Sequence, residues 1–297
     1  MHLLQGEGQP QDKIPMSRTR VSLLLFFLMT FFSYCGMGSQ SVKNTPNIKN
    51  VQAPVLRNIA VLPEIPDDSQ AIRFLQPYSD LLSDLSTFIA TIDSPFFNTY
   101  GTGNLGRLSS DYMLQSATKY SLSTLGIPCH FAVSNNGGFK SNLFPGEITM
   151  KEIYEVMPFE NELVIVQIPG IYVDSLIQYI AQLQGSPVAG LLVQFKKGKT
   201  QQENIPVSVM VNAGIISAES PEPISYLPLD PSRDYLIATN SYMVLGGDGF
   251  TMFKHAKALY YTKLLLRDVI ATGLKNEYKR NKTIAQRPQL RIHSLDY

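Results

Sequence analysis

The sequence has few of the residues that build metal centres. Its 297 residues include four histidines and two cysteines, at His2, His130, His255, His293, Cys35 and Cys129. These positions are scattered, without the clustered His, Cys and acidic ligands of a zinc or dinuclear site. The scarcity argues against a metallohydrolase that is complete within this chain.

Charge of either sign is also scarce. Lys and Arg together number 25 and Asp and Glu 24, so the formal net charge is +1. A chain this close to neutral lacks the field that recruits nucleic acid or an anionic membrane surface, and we expect neither as a partner. With 44% apolar residues, the chain can instead bury a sizeable core.

The first long apolar stretch predicts export. Basic residues at Arg18 and Arg20 precede an apolar run over 21–32, and small residues follow. This order is typical of a secretory signal, and the run is shorter than the ~20 residues of a membrane-spanning helix. We expect a signal in residues 1–35 and a location in the periplasm or cell envelope.

Cys35 leaves two ways of processing this signal. Lipidation of Cys35 would attach the mature chain to a membrane, and a lipid would then be its sole membrane contact, although Tyr34 is bulky for such a site. Cleavage after Gly38 is the alternative. In both cases Cys129 has no intramolecular disulfide partner, and we expect it to be a buried strand cysteine.

The remaining sequence predicts a tether over residues 36–66 and one folded domain over 67–297. Its fold class is expected to be α+β, a mixed β-sheet with packed helices, because helical and strand patterns alternate irregularly. The helices are predicted over 67–85, 104–125, 150–156, 170–185 and 256–272. The main strands are predicted over 87–92, 129–135, 162–169, 190–196, 206–212 and 234–243.

Three loops at the ends of these elements concentrate Gly, Asn, aromatic and charged residues: 134–140, 157–161 and 240–250. Loops at such ends commonly present binding residues. A glycine pair alone more often makes a tight turn, and a single Phe is more often a core residue. Asp248 is more informative, since a carboxylate between two glycines contributes little to packing.

Together the loops supply two rings (Phe159 and Tyr242), a carboxylate (Asp248), an amide (Asn135) and a cation (Lys140). These groups can stack a base, hydrogen-bond a ribose diol and meet a phosphate. We find no nucleophile with an attendant base. The set therefore favours binding of a nucleoside or nucleotide, and a metal-free enzyme is the least supported alternative.

Five motifs occur in an order that resembles the C-terminal domain of the 5′-nucleotidase and UDP-sugar hydrolase family. They are N-L-G at 104–106, S-N-N-G-G-F-K at 134–140, G-E-I-T at 146–149, V-M-P-F at 156–159 and the stretch over 242–250, which contains G-G-D-G-F at 246–250. The closing P-Q-L-R-I at 288–292 is similar as well. The resemblance covers roughly residues 67–292 and implies the α+β fold of that domain.

The resemblance also implies roles for the loop residues. A base would lie between Phe159 and Tyr242, Asp248 would hold the ribose, and Asn135 and Lys140 would complete a site for a nucleoside, nucleotide or UDP-sugar-like ligand. The supporting loop residues would be Asn104, Gly137, Gly138, Gly246 and Gly247.

Three departures from the family pattern bear on the ligand. Lys140 stands where an arginine is usual, which replaces a bidentate fork by a point charge. Residues 100–103 lack the arginine common before N-x-G, and Tyr242 adds a hydroxyl to the usual Phe. We therefore expect this chain to bind phosphate more weakly than other family members do, or to bind a different ligand.

The family's chemistry belongs to an N-terminal metallophosphatase domain with D-x-H, G-N-H and G-H-x-H motifs, none of which occurs here. The resemblance thus implies no cofactor in this chain and two divalent metals on a separate metallophosphatase chain. This chain would be the substrate-recognition half of a secreted hydrolase of nucleotide catabolism. The alternative is a stand-alone nucleoside-binding module of the cell envelope.

Overall fold

The computed structural model describes residues 66–81, 83–101, 103–213 and 225–295. The export signal, Cys35, the alternative cleavage site and nearly all of the predicted tether lie outside these residues. Residues Asp67–Tyr297 form one compact unit. No helix within the described ranges has both the length and the apolar character needed to cross a membrane.

The secondary structure alternates between helices and strands. The α-helices among the described residues are α1 (Ser69–Leu81), α2 (Asn104–Leu125), α3 (Met150–Val156), α4 (Gly170–Gln182), α5 (Ser241–Val244) and α6 (Leu266–Asn281). The strands are β1 (Phe88–Ile92), β2 (Phe131–Val133), β3 (Gly146–Thr149), β4 (Glu162–Pro169), β5 (Val188–Ala189), β6 (Leu191–Lys196), β7 (Ile205–Asn212), β8 (Tyr226–Pro228), β9 (Asp234–Asn240), β10 (Ala258–Leu265) and β11 (Ile292–Leu295).

The strands within the described ranges form three sheets. The largest has the order β10-β4-β9-β2-β5, and the others are β11-β6-β7-β8 and β1-β3. In the largest sheet β9 runs parallel to β2 and antiparallel to β4. The sheet is therefore mixed, and the predicted α+β class is confirmed.

Strand β4 lies between β10 and β9, and both of its faces are apolar. Ile165 joins the core formed with α2 and α6, whereas Val164 and Val166 join a second core that includes residues of α4. Successive side chains of a strand point to opposite faces, so a continuous apolar run fits a strand covered on both sides. The predicted bounds 162–169 are confirmed.

The pairing register brings the three glycine- and aromatic-rich loops to one edge of this sheet. Phe131 of β2 is the parallel partner of Ile237 in β9, and Asn240 at the end of β9 is the antiparallel partner of Leu163. The carboxyl ends of β2 and β9 and the start of β4 therefore lie side by side. The backbone N–H of Glu162 donates to Ser241 Oγ at 3.0 Å and joins two of the loops.

Local sequence signals account for the bounds of α2 and α3. Helix α2 occupies the predicted residues and ends at Gly126 in a left-handed conformation, with φ of 73°. Helix α3 begins after Thr149, which forms a capping box with Glu152. Both helices are confirmed as predicted.

The predicted helix over 256–272 is wrong in its first half. Residues Ala258–Leu265 form the edge strand β10, which pairs antiparallel with β4, and the helix begins at Leu266 and continues to Asn281. Tyr260, Tyr261 and Thr262 favour extended backbone, and pairing satisfies the polar groups along the edge of β4.

Three other boundaries also differ from the prediction. Strand β9 stops at Asn240, because the Asn240 side chain accepts the backbone N–H of Met243 at 2.9 Å and starts α5. Helix α1 ends at Leu81, before a 3₁₀ turn at Ser83–Ser86, in a segment of Ser and Asp residues that favour turns. Cys129 is buried as expected but precedes β2, whose pairing begins at Phe131.

Candidate functional site

Asp248 lies in a turn that only certain residues can adopt. Its φ is 49°, and the glycines on either side of the turn, Gly246 and Gly249, have φ of 88° and 81°. Asp tolerates this left-handed region better than most residues, and glycine adopts it freely. The Tyr179 hydroxyl donates to the carbonyl of Asp248 at 2.7 Å. The hydrogen bond from Tyr179 therefore stabilises the turn that carries the Asp248 carboxylate.

The carboxylate of Asp248 has a separate donor on each oxygen. Nδ2 of Asn135 donates to Oδ2 at 2.7 Å, and the Tyr242 hydroxyl donates to Oδ1 at 2.9 Å. The hydrogen bond to the carboxylate raises the pKa of Tyr242, since it favours the protonated phenol. The structure thus brings three of the five predicted site residues into direct contact.

A second amide fixes the orientation of Asn135. Nδ2 of Asn240 donates to Asn135 Oδ1 at 3.1 Å, while Asn240 Oδ1 accepts the Met243 N–H. Both asparagines are buried. This chain of bonds leaves Nδ2 of Asn135 to face the carboxylate. Asn240 was not among the predicted residues, although its position before a short helix is a recognisable N-cap signal.

Glycines let these groups approach one another. A Cβ at Gly247 would lie 2.4 Å from the Tyr242 ring, and Cβ atoms at Gly137 and Gly138 would lie 3.4 Å from Asp248 Oδ2 and 3.3 Å from Asn135 Oδ1. The backbone of Gly247 therefore covers part of the Tyr242 ring, although Tyr242 as a residue remains 41% exposed.

Lys140 and Phe159 form a second group at the same sheet edge. Nζ of Lys140 is 5.2 Å from the centre of the Phe159 ring, within the range of a cation–π contact. Phe159 is 40% exposed. Arg267 donates to the Phe159 carbonyl at 3.5 Å and pairs with Glu160 at 3.2 Å, and so it holds the loop. Arg267 was missed by sequence reasoning, and no local pattern marks it.

The side-chain hydrogen bonds of Asn104 are made to residues other than Asn135, Tyr242 and Asp248. Its side chain accepts the backbone N–H of Phe97 at 2.6 Å and donates to the Pro95 carbonyl at 3.0 Å. A further bond joins it to Gln286 at 2.7 Å. Asn104 therefore stabilises the segment before α2, and its support of the site is indirect.

A cleft of about 330 Å³ adjoins the carboxylate. It is lined by Tyr100, Asn135, Asn136, Gly137, Leu183, Ser186, Asp248 and Phe250. A larger groove, of about 790 Å³, lies between α2 and α6 and shares none of these residues. The smaller cleft is the one that belongs to the candidate site.

Comparison with known proteins identifies the architecture. Residues 88–255 match the family model described as 5′-nucleotidase, C-terminal domain. The chain belongs to this family. The predicted resemblance is thereby confirmed.

The chain is also similar in sequence to several known proteins. The chain is 32% identical over 121 residues to protein UshA of Yersinia enterocolitica, covering 40% of this chain and 19% of that protein. It is 25% identical over 181 residues to the 5′-nucleotidase of Diplobatis ommata, covering 58% of this chain and 30% of the relative.

A solved structure shows the same fold. The 5′-nucleotidase precursor from Thermus thermophilus is similar with a TM-score of 0.60 and 25% identity, over 76% of this chain and 42% of that one. The chain therefore spans less than half the length of each of these three relatives.

Metal ligands do not converge within the described part of this 5′-nucleotidase C-terminal domain. No group of three His, Cys, Asp or Glu side chains is placed there to hold a metal ion. The described residues thus do not fit the two divalent metals that the family's chemistry implies. What the site offers is two partly exposed rings, an oriented carboxylate and buried amides, which are groups that bind and orient a ligand.

Proposed function

We propose that this chain is the nucleoside- and nucleotide-recognition half of an exported 5′-nucleotidase-like hydrolase. The observation that carries the proposal is the arrangement around Asp248. Its two carboxylate oxygens are oriented by Asn135 and Tyr242, and it lies at a sheet edge where two partly exposed aromatic rings are presented.

In this proposal the aromatic rings bind the base and the carboxylate binds the ribose. A base would stack on the exposed faces of Phe159 and Tyr242, where stacking contributes about 1–3 kcal/mol per base. A ribose diol would donate to Asp248, whose charged oxygens retain acceptor capacity beside their present partners. No covalent step is assigned to these residues, so the chain would act by binding and orienting its ligand.

The proposal assigns bond cleavage to a separate metallophosphatase chain carrying two divalent metals. Such metals would supply an activated water to the phosphoester. Within the described region no group of three His, Cys, Asp or Glu side chains is placed to hold a metal ion, so in this proposal its residues contribute binding groups and not metal ligands. The isolated chain should then bind AMP without releasing phosphate, including when Mn²⁺ or Zn²⁺ is added.

We further propose that the chain is exported by the signal in residues 1–35. Mass spectrometry of the N-terminus of the mature protein tests this directly. A lipid-modified Cys35 would establish an anchor, and an N-terminus at residue 39 would establish cleavage after Gly38. Recovery of the intact leader on protein from the native cell would contradict export.

Calorimetric titration tests the binding site. Wild-type protein and Asp248→Asn would be titrated with adenosine, AMP and a UDP-sugar, with Leu245→Ala as the control. Leu245 belongs to the same loop and is 82% exposed, so its truncation should leave binding unchanged. We expect Asp248→Asn to lower affinity about tenfold or more, because hydrogen bonds to a charged group contribute about 1.5–3 kcal/mol. Equal affinities for wild type and Asp248→Asn would contradict the site.

A further inference from the structure

A small pocket lies where the start of α2, the loop over 134–140 and the closing segment at 288–292 meet. Its volume is about 10 Å³, and its polar lining includes Arg107, Asn136, Ser186 and Arg291. A space of this size holds one water molecule or one single-atom ion, and it is too small for a phosphate or a nucleoside. The charge and the hydrogen-bonding groups of the lining determine which of the two fits better.

Asn136 fixes the shape of the pocket. Its Oδ1 accepts the backbone N–H of Gly101 at 2.9 Å, and its Nδ2 donates to the carbonyl of Gly185 at 3.1 Å. Gly106 of α2 packs closely against Pro187, since a Cβ at Gly106 would lie 3.0 Å from Pro187 Cγ. The segments around the pocket are therefore positioned by hydrogen bonds and close contacts, which define its size.

Ser186 contributes a hydroxyl that no described protein group uses. The residue is 3% exposed, and its Oγ has no hydrogen-bond partner within the described ranges. A buried hydroxyl without a partner is unfavourable, so a ligand that accepts its hydrogen bond would stabilise the fold. Both a water molecule and an anion can accept this bond.

The start of α2 favours an anion over a water molecule. The helix is 22 residues long, and no described side chain caps it at Gly103. Gly103 and Gly106 both line the pocket. The N-terminus of a helix carries a partial positive charge, and its backbone N–H groups favour a negative ligand. The helix thus contributes a positive potential to the pocket in addition to that of the side chains.

Two buried arginines add full positive charges. Arg107 is 9% exposed and Arg291 is 8% exposed, and both line the pocket. Nη1 of Arg291 donates to the Arg107 carbonyl at 3.3 Å, so the two residues are adjacent. Burial, followed by the positive charge of Arg291, lowers the pKa of Arg107, and Asp111 offsets this only in part. An anion in the pocket would reduce the repulsion between the two guanidinium groups.

The buried network beside the pocket holds more basic than acidic groups. Arg287 and Arg291 both donate to Asp111, and Arg287 also pairs with Glu277 at 2.8 Å. With Arg107, the network comprises three arginines and two acids, all buried, and the formal charge of these five groups is +1. One monovalent anion would bring this charge to zero and lower the cost of burying the group.

We propose that this pocket is a binding site for a single halide ion such as chloride, held by the Ser186 hydroxyl, the start of α2 and the charges of Arg107 and Arg291. The ion would join the closing segment of the domain to α2, beside the loop over 134–140. The inference does not rest on the proposed function, because neither Asp248 nor Tyr242 lines the pocket.

Thermal unfolding of the full chain tests the proposal in solution. Sodium chloride would replace sodium gluconate stepwise at constant ionic strength, because gluconate has the same charge and is too large for the pocket. We expect chloride to raise the unfolding midpoint by at least about 2 °C, with a saturable dependence on its concentration. A midpoint that does not rise as chloride replaces gluconate would overturn the site.

Ser186→Ala and Ser109→Ala form a matched pair of variants. Ser109 is also fully buried, and its Oγ likewise has no partner in the described part of the chain, but it does not line the pocket. We expect Ser186→Ala to lose at least half of the chloride-dependent rise and Ser109→Ala to keep all of it. General salt effects act on both variants alike. Equal responses in the two variants would overturn the proposal.

Crystals of the protein grown with sodium bromide would locate the ion directly. Bromide carries the charge of chloride and gives an anomalous X-ray signal. We expect an anomalous peak in the pocket, within hydrogen-bonding distance of Ser186 Oγ. Density there without an anomalous signal would show a water molecule and overturn the proposal. A peak together with an unchanged midpoint in solution would show binding at crystal concentration only, and would overturn it as well.

Discussion

The Tyr242 hydroxyl both donates to Asp248 Oδ1, at 2.9 Å, and accepts the Asp248 backbone N–H, at 3.3 Å. The ring that would stack a base and the carboxylate that would hold a ribose are therefore one hydrogen-bonded unit. Gly247 lies between them in sequence, and its missing side chain leaves room for the Tyr242 ring. The Tyr242 hydroxyl thus links the position of the ring to that of the carboxylate.

Two substitutions at Tyr242 separate the ring from the hydroxyl. Tyr242→Phe keeps the ring and removes a solvent-exposed bond, so we expect adenosine affinity to change by no more than about threefold. Tyr242→Leu removes the stacking face and should lower affinity by about tenfold or more. Calorimetry with adenosine measures both effects. An equal loss in the two variants would show that the hydroxyl, not the ring, makes the contact.

The sequence was sufficient to locate the loops but not to assemble the site. Residues 134–140 and 240–250 are marked locally, by glycines and asparagines next to apolar strands. The support from Tyr179 is not marked, because its partner Asp248 is 69 residues further along the chain. Lys140 was expected to contact a phosphate, but the structure places it on the ring of Phe159. This contact depends on the position of the loop after α3, which carries Phe159.

The edge strand β10 shows that the fold, too, depends in places on contacts that are distant in sequence. Its sequence is apolar and aromatic without a clean alternation, so periodicity could not separate strand from helix. The decisive factor is the unpaired edge of β4, which exists only once the sheet has formed. The buried strand β4 and the capped helix α3 were predicted correctly because their signals lie within their own residues.

Asp111 joins the closing segment of the domain to α2, and its loss should be costly. Its Oδ2 accepts from Arg287 Nε at 3.0 Å and from Arg291 Nη2 at 2.9 Å, and its side chain is fully buried. Asp111→Ala leaves both guanidinium groups without this partner. We expect the free energy of unfolding to fall by about 3–5 kcal/mol, measured by urea denaturation.

The exposed pair Lys151–Glu155 is the matched control for Asp111. Its nitrogen and oxygen are 3.9 Å apart, and both side chains are more than half exposed. Glu155→Ala should change stability by less than about 0.5 kcal/mol. Should Asp111→Ala not fold, Asp111→Asn keeps the shape and removes the charge, and its unfolding midpoint supplies the comparison. Equal stabilities for the Asp111 and Glu155 variants would show that the buried network is not stabilising.

His130 should make stability depend on pH. Burial, together with the nearby positive charge of Arg233, lowers the pKa of His130 to about 4. The unfolded chain, with a His pKa of about 6.5, takes up the proton first as the pH falls. The contribution of His130 is therefore complete above about pH 6.5, is lost between about pH 6.5 and 4, and does not change further below that range.

His130→Asn isolates this contribution. The Leu236 N–H donates to His130 Nδ1 at 3.0 Å, and the Asn oxygen can accept that bond without titrating. We expect the stability advantage of wild type over His130→Asn to shrink by about 2–3 kcal/mol between pH 7 and pH 4, measured by urea denaturation at each pH. An NMR titration midpoint for His130 near 6.5, with parallel pH profiles for the two proteins, would contradict a buried neutral imidazole.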